Sequence, residues 1–422
     1  MSYFHLNFIL KGKLTVCCLL MLSVIPLNAQ REAKQIGDFK ESISLNEHLR
    51  GTKRTLQYRP DGDEFVCVNG KNRYTRALYG SHSPFRVETS DRPVFAFYNN
   101  GRGGNISFKV ILRDGTELAL DRTGYCESRY SAGKRTYYLT DPSWGKGELR
   151  ISVLALADMD GAIWRFSPSN MPKGAILRWQ HGGATGKRLS RNGDMGVDPA
   201  DCFELPAEAT DLVTGELSLQ KEVYLVRGEV SEGYDVRKLC QQAEAASLVL
   251  ASHLKIETPD PYLNTLGGAL VAAADGIWDG QVWLHGAIGW RMPLSGWRAG
   301  YTGDALGWHD RARTHFDAYA ASQVTDVPNT IPHPAQDSTM NLARSEKRWG
   351  TPQYSNGYIC RNPERNNQMH HYDMNLCYMD ELLWHFNWTG DTAYVRKMWP
   401  VITRHLAWEK LNYDPDNDGL YD

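Results

Sequence analysis

Three carboxylates in the second half of the chain stand where acid/base chemistry could use them. Asp373 and Asp304 each come at the start of a helical pattern, and Glu364 lies in a polar loop. Cleavage of a glycosidic bond needs one acid to protonate the leaving oxygen and a second carboxylate to act as nucleophile or to activate water. Asp373, Glu364 and Asp304 are therefore the candidate catalytic residues. Because Asp often caps a helix, an N-cap is the alternative role for Asp373 and Asp304.

Aromatic and basic side chains are concentrated in the stretch from Ile277 to Asp310, which holds five of the thirteen tryptophans. Indole faces stack on the C–H faces of sugar rings, and Arg and His bind hydroxyl groups. This composition predicts a carbohydrate-binding wall, with a tryptophan-rich core as the alternative. The candidate substrate-binding residues are His285, Trp290, Arg291, Trp297, Arg298, His370 and His371.

An acidic run near the end of the sequence has the spacing of the first half of a calcium loop. Asp414, Asp416 and Asp418 alternate before Gly419, so their carboxylates could converge on Ca²⁺. The acid expected at position twelve would lie beyond the last residue. A plain acidic turn or a loop that reaches the substrate is the alternative, and the expected chemistry requires no cofactor.

The first 29 residues resemble a secretory signal peptide. Lys11 and Lys13 precede an apolar run from Leu14 to Leu27, and Ala29 offers a small residue for cleavage. We therefore expect a periplasmic or extracellular protein. No later segment has the length and apolarity of a transmembrane helix. With 47 basic and 49 acidic residues the chain is almost neutral, so nucleic acid is not an expected partner.

Two regions of different periodicity follow the leader. Short runs rich in Val, Ile, Phe and Tyr, separated by Asn-Gly and Asp-Gly pairs, predict an antiparallel β-sandwich over residues 30–233. Helical composition over residues 234–260, which end in a Thr-Pro-Asp-Pro break, predicts a linker. Residues 261–422 show apolar spacing of helical period. We expect helices near 262–278, 304–322, 335–347, 374–388 and 391–412, which together predict the first part of an (α/α)6 toroid.

The segment from Pro293 to Ala305 resembles a motif of bacterial α-L-rhamnosidases, within the six-hairpin glycosidase superfamily. Pro293, Arg298, Gly300 and the Thr-Gly-Asp-Ala run that begins at Thr302 coincide with that motif. The resemblance implies a β-sandwich before an (α/α)6 barrel. It does not supply the catalytic acid, because the glutamate of those enzymes falls on Trp297 and their leading aspartate falls on Arg291.

Two further segments support the same architecture. The stretch from Trp388 to Leu420 is similar to a helical hairpin and exit loop of the superfamily. The segment from Asn69 to Tyr98 resembles an uncharacterised N-terminal domain of secreted Bacteroidetes proteins.

In such a toroid the loops that enter the inner helices open at one end, where the substrate binds. If 304–322 and 374–388 are inner helices, then residues 279–303, 348–373 and 413–422 lie at that end. Because 162 residues are about half of what twelve helices need, we expect residues 261–422 to be the N-terminal part of a longer barrel.

The leading functional hypothesis is a secreted glycoside hydrolase that acts on plant or host oligosaccharides or polysaccharides. One alternative is a polysaccharide lyase that uses His370, His371, Tyr372 and Arg361. The other is a glycan-binding protein without catalysis.

Overall fold

The computed structural model describes residues 57–71, 74–99, 102–183, 212–228, 233–286, 292–296, 299–325, 356–363, 373–414 and 417–419. The predicted signal peptide and the predicted helix 335–347 lie outside these residues. The described chain consists of a β region followed by helices. The expected order of β and α regions is thus confirmed.

The β region contains two antiparallel sheets. The first has the order β1-β2-β8-β9-β10-β11-β14 and the second the order β13-β12-β6-β5-β4-β3, with β7 paired to β6. The strands are β1 (Arg59–Asp61), β2 (Glu64–Val68), β3 (Tyr74–Leu78), β4 (Arg86–Ser90), β5 (Phe95–Asn99), β6 (Arg102–Ile111), β7 (Glu117–Ala119), β8 (Tyr125–Ser131), β9 (Lys134–Thr140), β10 (Glu148–Ala155), β11 (Gly161–Ser169), β12 (Ile176–Gly183), β13 (Val213–Ser218) and β14 (Val223–Gly228).

Alternation of apolar and polar residues gives the two sheets a shared core. In β8 every second residue is buried, from Cys126 to Tyr130, as expected for a strand with one face inward. The core includes the fully buried Trp164 and Phe95, whose rings meet edge to face at 5.6 Å. The apolar run from Leu217 to Val226 does not form one strand, because the chain forms β13 and β14 in different sheets, separated by a turn.

Six helices and one small hairpin follow in the described residues. The helices are α1 (Val236–Ala251), α2 (Pro261–Gly276), α3 (Gly300–Ala305), α4 (His309–Ala321), α5 (Asp373–Thr389) and α6 (Thr392–Tyr413), and the hairpin pairs β15 (Leu284–His285) with β16 (Met292–Pro293). Asp260 and Asp391 cap α2 and α6 by accepting main-chain N–H groups of the first turn. The predicted helices 262–278, 374–388 and 391–412 are confirmed within two residues at each end.

The predicted helix 304–322 is confirmed only from His309 to Ala321, because a turn at residues 306–308 separates α3 from α4. Gly307 adopts a φ of 74°, which favours glycine, and Trp308 N donates to Gly303 O at 2.7 Å. Asp304 is consequently in α3 and does not cap α4, whose N-cap residue is Trp308.

Helices α4 and α6 run antiparallel to α5. The start of α4 is close to the end of α5, since Arg313 lies 3.6 Å from Asp391. The end of α4 is close to the start of α5, since Ser322 Oγ accepts from Cys360 N and Ile359 N donates to Asn375 Oδ1. The amino end of α5 and its carboxyl end therefore define two separate surfaces of the helical region.

None of the described helices is both long and apolar enough to cross a lipid bilayer.

Candidate functional site

Three segments meet at the amino end of α5, which begins at Asp373. Gly296 packs directly on the first turn of α5, where an added Cβ would lie 2.0 Å from Met374 O and 2.3 Å from Tyr378 N. The loop 356–363 is fixed there by Asn375, whose Oδ1 accepts from Ile359 N at 2.6 Å. The described ends of the predicted binding and catalytic loops thus share one surface.

The hairpin β15–β16 leads into this surface. His285 on β15 pairs with Met292, and its side chain is half-buried. Burial lowers the pKa of His285, so the imidazole is neutral at pH 7 and can both donate and accept a hydrogen bond. These are properties that a sugar hydroxyl group requires of its partner.

Most of the predicted site residues lie outside the described residues. They are Trp290, Arg291, Trp297, Arg298, Glu364, His370, His371 and Asp416. The backbone of Asp373 is described, but its side chain is not. The helix start at Asp373 is described, and it agrees with the predicted position at the head of a helix.

Beneath this surface, two buried side chains of α4, His315 and Tyr319, are uncharged. Burial lowers the pKa of His315 to about 3, although its interaction with the Ser295 main chain raises it. Burial also raises the pKa of Tyr319 well above its usual value, and the nearby Asp279 and Glu381 act in the same direction. Both side chains therefore carry no charge at neutral pH, and they contribute to the core beside the 292–296 segment.

The described tryptophans of the 277–310 stretch form core, in contrast to the predicted sugar-binding wall. Trp278 and Trp283 are 4% and 0% exposed, and their rings lie 4.7 Å apart. Trp308 is half-buried, and the guanidinium of Arg311 lies 4.4 Å from its ring centroid. Since Gly303 packs against Trp283, these indoles fill space between helices, which leaves only Trp290 and Trp297 for the predicted role.

Asp304 lies far from the amino end of α5. Its carboxylate contacts His385 Nδ1 at 2.9 Å, and His385 is twelve residues after Asp373 on the same helix. At a rise of about 1.5 Å per residue, roughly 18 Å of helix axis separates the two positions. The carboxylates of a glycosidase are at most about 9.5 Å apart. Asp304 is therefore placed beside the carboxyl end of α5, away from the end at which Asp373 begins the helix.

A second polar cluster surrounds Asp304 at the carboxyl end of α5. Asp304 Oδ1 lies 2.7 Å from His309 Nδ1 and 2.9 Å from His385 Nδ1. Sequence reasoning missed both histidines. His309 is only five positions away, but His385 is distant in the chain, so no local spacing indicates the contact.

In the described residues, the two ends of the acidic run 414–419 are joined by a hydrogen bond. Asp414 ends α6, and its Oδ1 accepts from Gly419 N at 3.3 Å. Asp418 is exposed, and Asn417 adopts a φ of 63°. This contact stabilises a turn, and the calcium site predicted from Asp414, Asp416 and Asp418 stays a prediction because Asp416 lies outside the described residues.

Comparisons with known proteins give limited similarity. Residues 100–238 match the family model of a domain of unknown function, DUF4450, which spans most of the β region from β6 onward. No curated protein matches the sequence. Among solved structures, a bacterial glucoamylase complexed with acarbose is similar at 9% identity and a TM-score of 0.39, over 61% of this chain and 53% of the glucoamylase. The matched part thus spans about half the length of that enzyme.

Proposed function

We propose that the protein is a secreted glycoside hydrolase that cleaves plant or host glycans at the amino end of α5. In this proposal Asp373 and Glu364 are the two catalytic carboxylates. The substrate-binding residues are His285, Trp290, Arg291, Trp297, Arg298, His370 and His371.

The observation that carries the proposal is the contact of Gly296 with the first turn of α5. Gly296 directly precedes Trp297 and Arg298, and the first turn of α5 begins at Asp373. Trp297, Arg298 and Asp373 are thus adjacent in sequence to this contact or part of the helix it touches, and they offer an indole, a cation and a carboxylate. This combination is what a pyranose ring and its glycosidic oxygen need.

The position of Asp373 indicates which carboxyl group would be ionised and which would donate the proton. The amino end of a helix carries a partial positive charge and unpaired N–H groups, which favour an ionised carboxylate. Asp373 would then be the nucleophile or the base. Glu364 would be the acid that protonates the leaving group. Asp304 is left out of this pair because it contacts His385 near the other end of α5.

The test is hydrolysis of a panel of defined oligosaccharides, measured as release of reducing ends. We expect Asp373→Asn and Glu364→Gln each to lower kcat by at least about 100-fold, because removal of one acid or base removes its share of transition-state stabilisation. The matched control is Asp310→Asn, since the Asp310 side chain is 99% exposed on α4. This control should retain full activity.

Three results would contradict the proposal. Undiminished turnover by Asp373→Asn would remove it from the mechanism. Products that absorb in the ultraviolet would indicate β-elimination by a lyase. Binding of glycans by the unmodified protein without release of reducing ends would indicate a binding protein.

A further inference from the structure

We propose that Asp304, His309 and His385 form a binding site for one divalent cation of the zinc type. The three residues come from three consecutive described helices, with Asp304 on α3, His309 at the first position of α4 and His385 in the last turns of α5. One potential ligand atom from each residue lies within 4.8 Å of the others. Among the described residues, these three form the group of at least three His, Cys, Asp or Glu side chains whose potential ligand atoms lie this close together.

The distances suit a small ion after a modest adjustment. The carboxylate of Asp304 lies 2.7 Å from His309 Nδ1 and 2.9 Å from His385 Nδ1. Around a tetrahedral zinc ion with bonds of about 2.0–2.1 Å, neighbouring ligand atoms are roughly 3.3 Å apart. The Asp304–His309 contact must therefore open by about 0.6 Å, which the partly exposed side chain of His309 can provide. The Asp304–His385 contact must open by about 0.4 Å, which requires a small shift of the Asp304 carboxylate.

Burial differs among the three ligands in a useful way. The side chains of Asp304 and His385 are 2% and 0% exposed, whereas that of His309 is 39% exposed. Two ligands are thus buried in the helical core, and the third is open to solvent. A cation can enter past His309, and water can complete the coordination.

The surroundings of His385 fix its ring without competing for the ion. The ring packs against Phe316 at 5.5 Å and Tyr394 at 5.4 Å between centroids. Such restraint reduces the entropy lost when the ligand is ordered around the metal. The contact with the Asp304 carboxylate also settles which ring nitrogen faces the site.

The donor atoms select the class of ion. Two imidazole nitrogens and one carboxylate oxygen favour Zn²⁺, Co²⁺ or Ni²⁺ over Ca²⁺ and Mg²⁺, which prefer sites made of oxygen atoms. The carboxylate offsets one of the two positive charges. The inferred ligand is therefore a borderline transition-metal cation, for which Zn²⁺ is the physiological example.

The site is separate from the proposed sugar site. About 18 Å of α5 lies between His385 and Asp373, so the cation would not touch the glycosidic bond. Its effect would be to hold α3 and the start of α4 against α5. The metal inference can therefore succeed or fail independently of hydrolysis.

The experiment uses the full chain, stripped with a chelator and then titrated with Co²⁺ and Zn²⁺. We expect visible d–d absorption on Co²⁺ addition, one equivalent of Zn²⁺ by elemental analysis, and a Zn²⁺-dependent rise in Tm. His309→Ala should weaken Zn²⁺ binding by roughly 100-fold or more, because it removes a direct ligand. Asp304→Asn, which keeps the shape of the side chain, should do the same.

His82→Ala is the matched control. The His82 side chain is also 39% exposed and also pairs with an aspartate, Asp275, but no second histidine joins that pair in the described residues. Full Zn²⁺ binding by this control, combined with loss in His309→Ala at an unchanged metal-free Tm, supports the site. Equal Zn²⁺ binding by the unmodified protein, His309→Ala and Asp304→Asn would overturn it. So would the absence of binding by the unmodified protein at micromolar Zn²⁺.

Discussion

Gly303 shows how one residue of the Pro293–Ala305 motif serves packing. It lies in α3 beside Trp283, and an added Cβ would lie 2.2 Å from Cη2 of the indole. Trp283 is fully buried, so its ring has no free space into which to move. Gly300 is similarly close to Glu381, whose Oε2 accepts from Gly300 N at 3.0 Å. The glycines of this motif therefore allow α3 to approach its neighbours.

We expect Gly303→Ala to destabilise the protein by about 1–3 kcal/mol, because the methyl group overpacks the core. The direction is informative, since glycine to alanine in a helix usually stabilises by up to about 1 kcal/mol. Urea unfolding followed by tryptophan fluorescence measures the difference. Gly268→Ala in α2 is the control, where the nearest atoms would lie 3.1 Å away and a smaller loss is expected. Stability equal to that of the unmodified protein would show that Trp283 can move.

At the scale of elements, the strands and the long helices follow from local patterns. The helices α2, α5 and α6 could be predicted because their apolar residues recur at helical spacing and because Asp260 and Asp391 cap α2 and α6. The break before α4 could not, since a single glycine such as Gly307 is compatible with a continuous helix at a cost of about 1 kcal/mol. Its positive φ is set by tertiary packing.

The two candidate sites also differ in whether local sequence patterns predict them. The start of α5 at Asp373 was predictable from the helical pattern that follows it. The cluster around Asp304 was not, because His385 lies on another helix and only the packing of α3 on α5 brings the two together. Likewise, sequence cannot distinguish a tryptophan in the core from one in a cleft, and Trp278 and Trp283 are in the core.

The second sheet carries a carboxyl group that makes its stability depend on pH. Glu88 on β4 is half-buried, and its Oε1 has no hydrogen-bond partner among the described residues. Burial raises the pKa of Glu88 to about 7, although the nearby Arg86 lowers it. The folded protein therefore keeps this proton at pH values where the unfolded chain has released it.

The sign of the effect follows from the raised pKa. Below the unfolded pKa of about 4.5 both states are protonated, and between that value and about 7 the folded state binds more protons. Stability consequently falls as the pH rises through this window, by on the order of 2–3 kcal/mol. We expect Glu88→Gln to match the unmodified protein near pH 4.5 and to be more stable at pH 8. Urea unfolding at both pH values checks this.

Glu216→Gln on β13 is the control for this prediction, because Glu216 is an exposed glutamate of the same sheet that pairs with Arg178. It should leave the pH dependence unchanged. An identical pH slope in Glu88→Gln and the unmodified protein would show that Glu88 is ionised in the fold.

At the scale of the whole molecule, a few buried polar contacts join the sandwich to the helices. The guanidinium of Arg86, on β4, donates to Gly276 O at the end of α2 at 2.7 Å and is fully buried. Asp275 on α2 accepts from Arg311 of α4 at 2.7 Å and lies 3.2 Å from His82 of the sandwich. Asp275 thus connects three parts of the described structure through one carboxylate.

The charge of Asp275 should matter for the stability of the whole chain. Burial alone would raise the pKa of Asp275, but hydrogen bonds from His82 and Arg311 outweigh it and lower the pKa below its usual value. The stabilisation is therefore present above about pH 4 and is lost as the pH falls through the lowered pKa of the folded state. We expect Asp275→Asn to cost about 1–3 kcal/mol at pH 7, because it leaves Arg311 without its partner in a partly buried position.

The measurement is urea unfolding of Asp275→Asn at pH 7 and pH 3.5, with Asp310→Asn as the exposed control on α4. The difference from the unmodified protein should shrink at pH 3.5, where protonation of Asp275 begins to weaken in the unmodified protein the contacts that the variant already lacks. Because Asp275 bridges the sandwich and the helices, its loss should also separate their unfolding, so that tryptophan fluorescence and far-ultraviolet circular dichroism no longer report a single transition. An unchanged midpoint at pH 7 would show that Arg86 and the apolar contacts suffice to hold the two regions together.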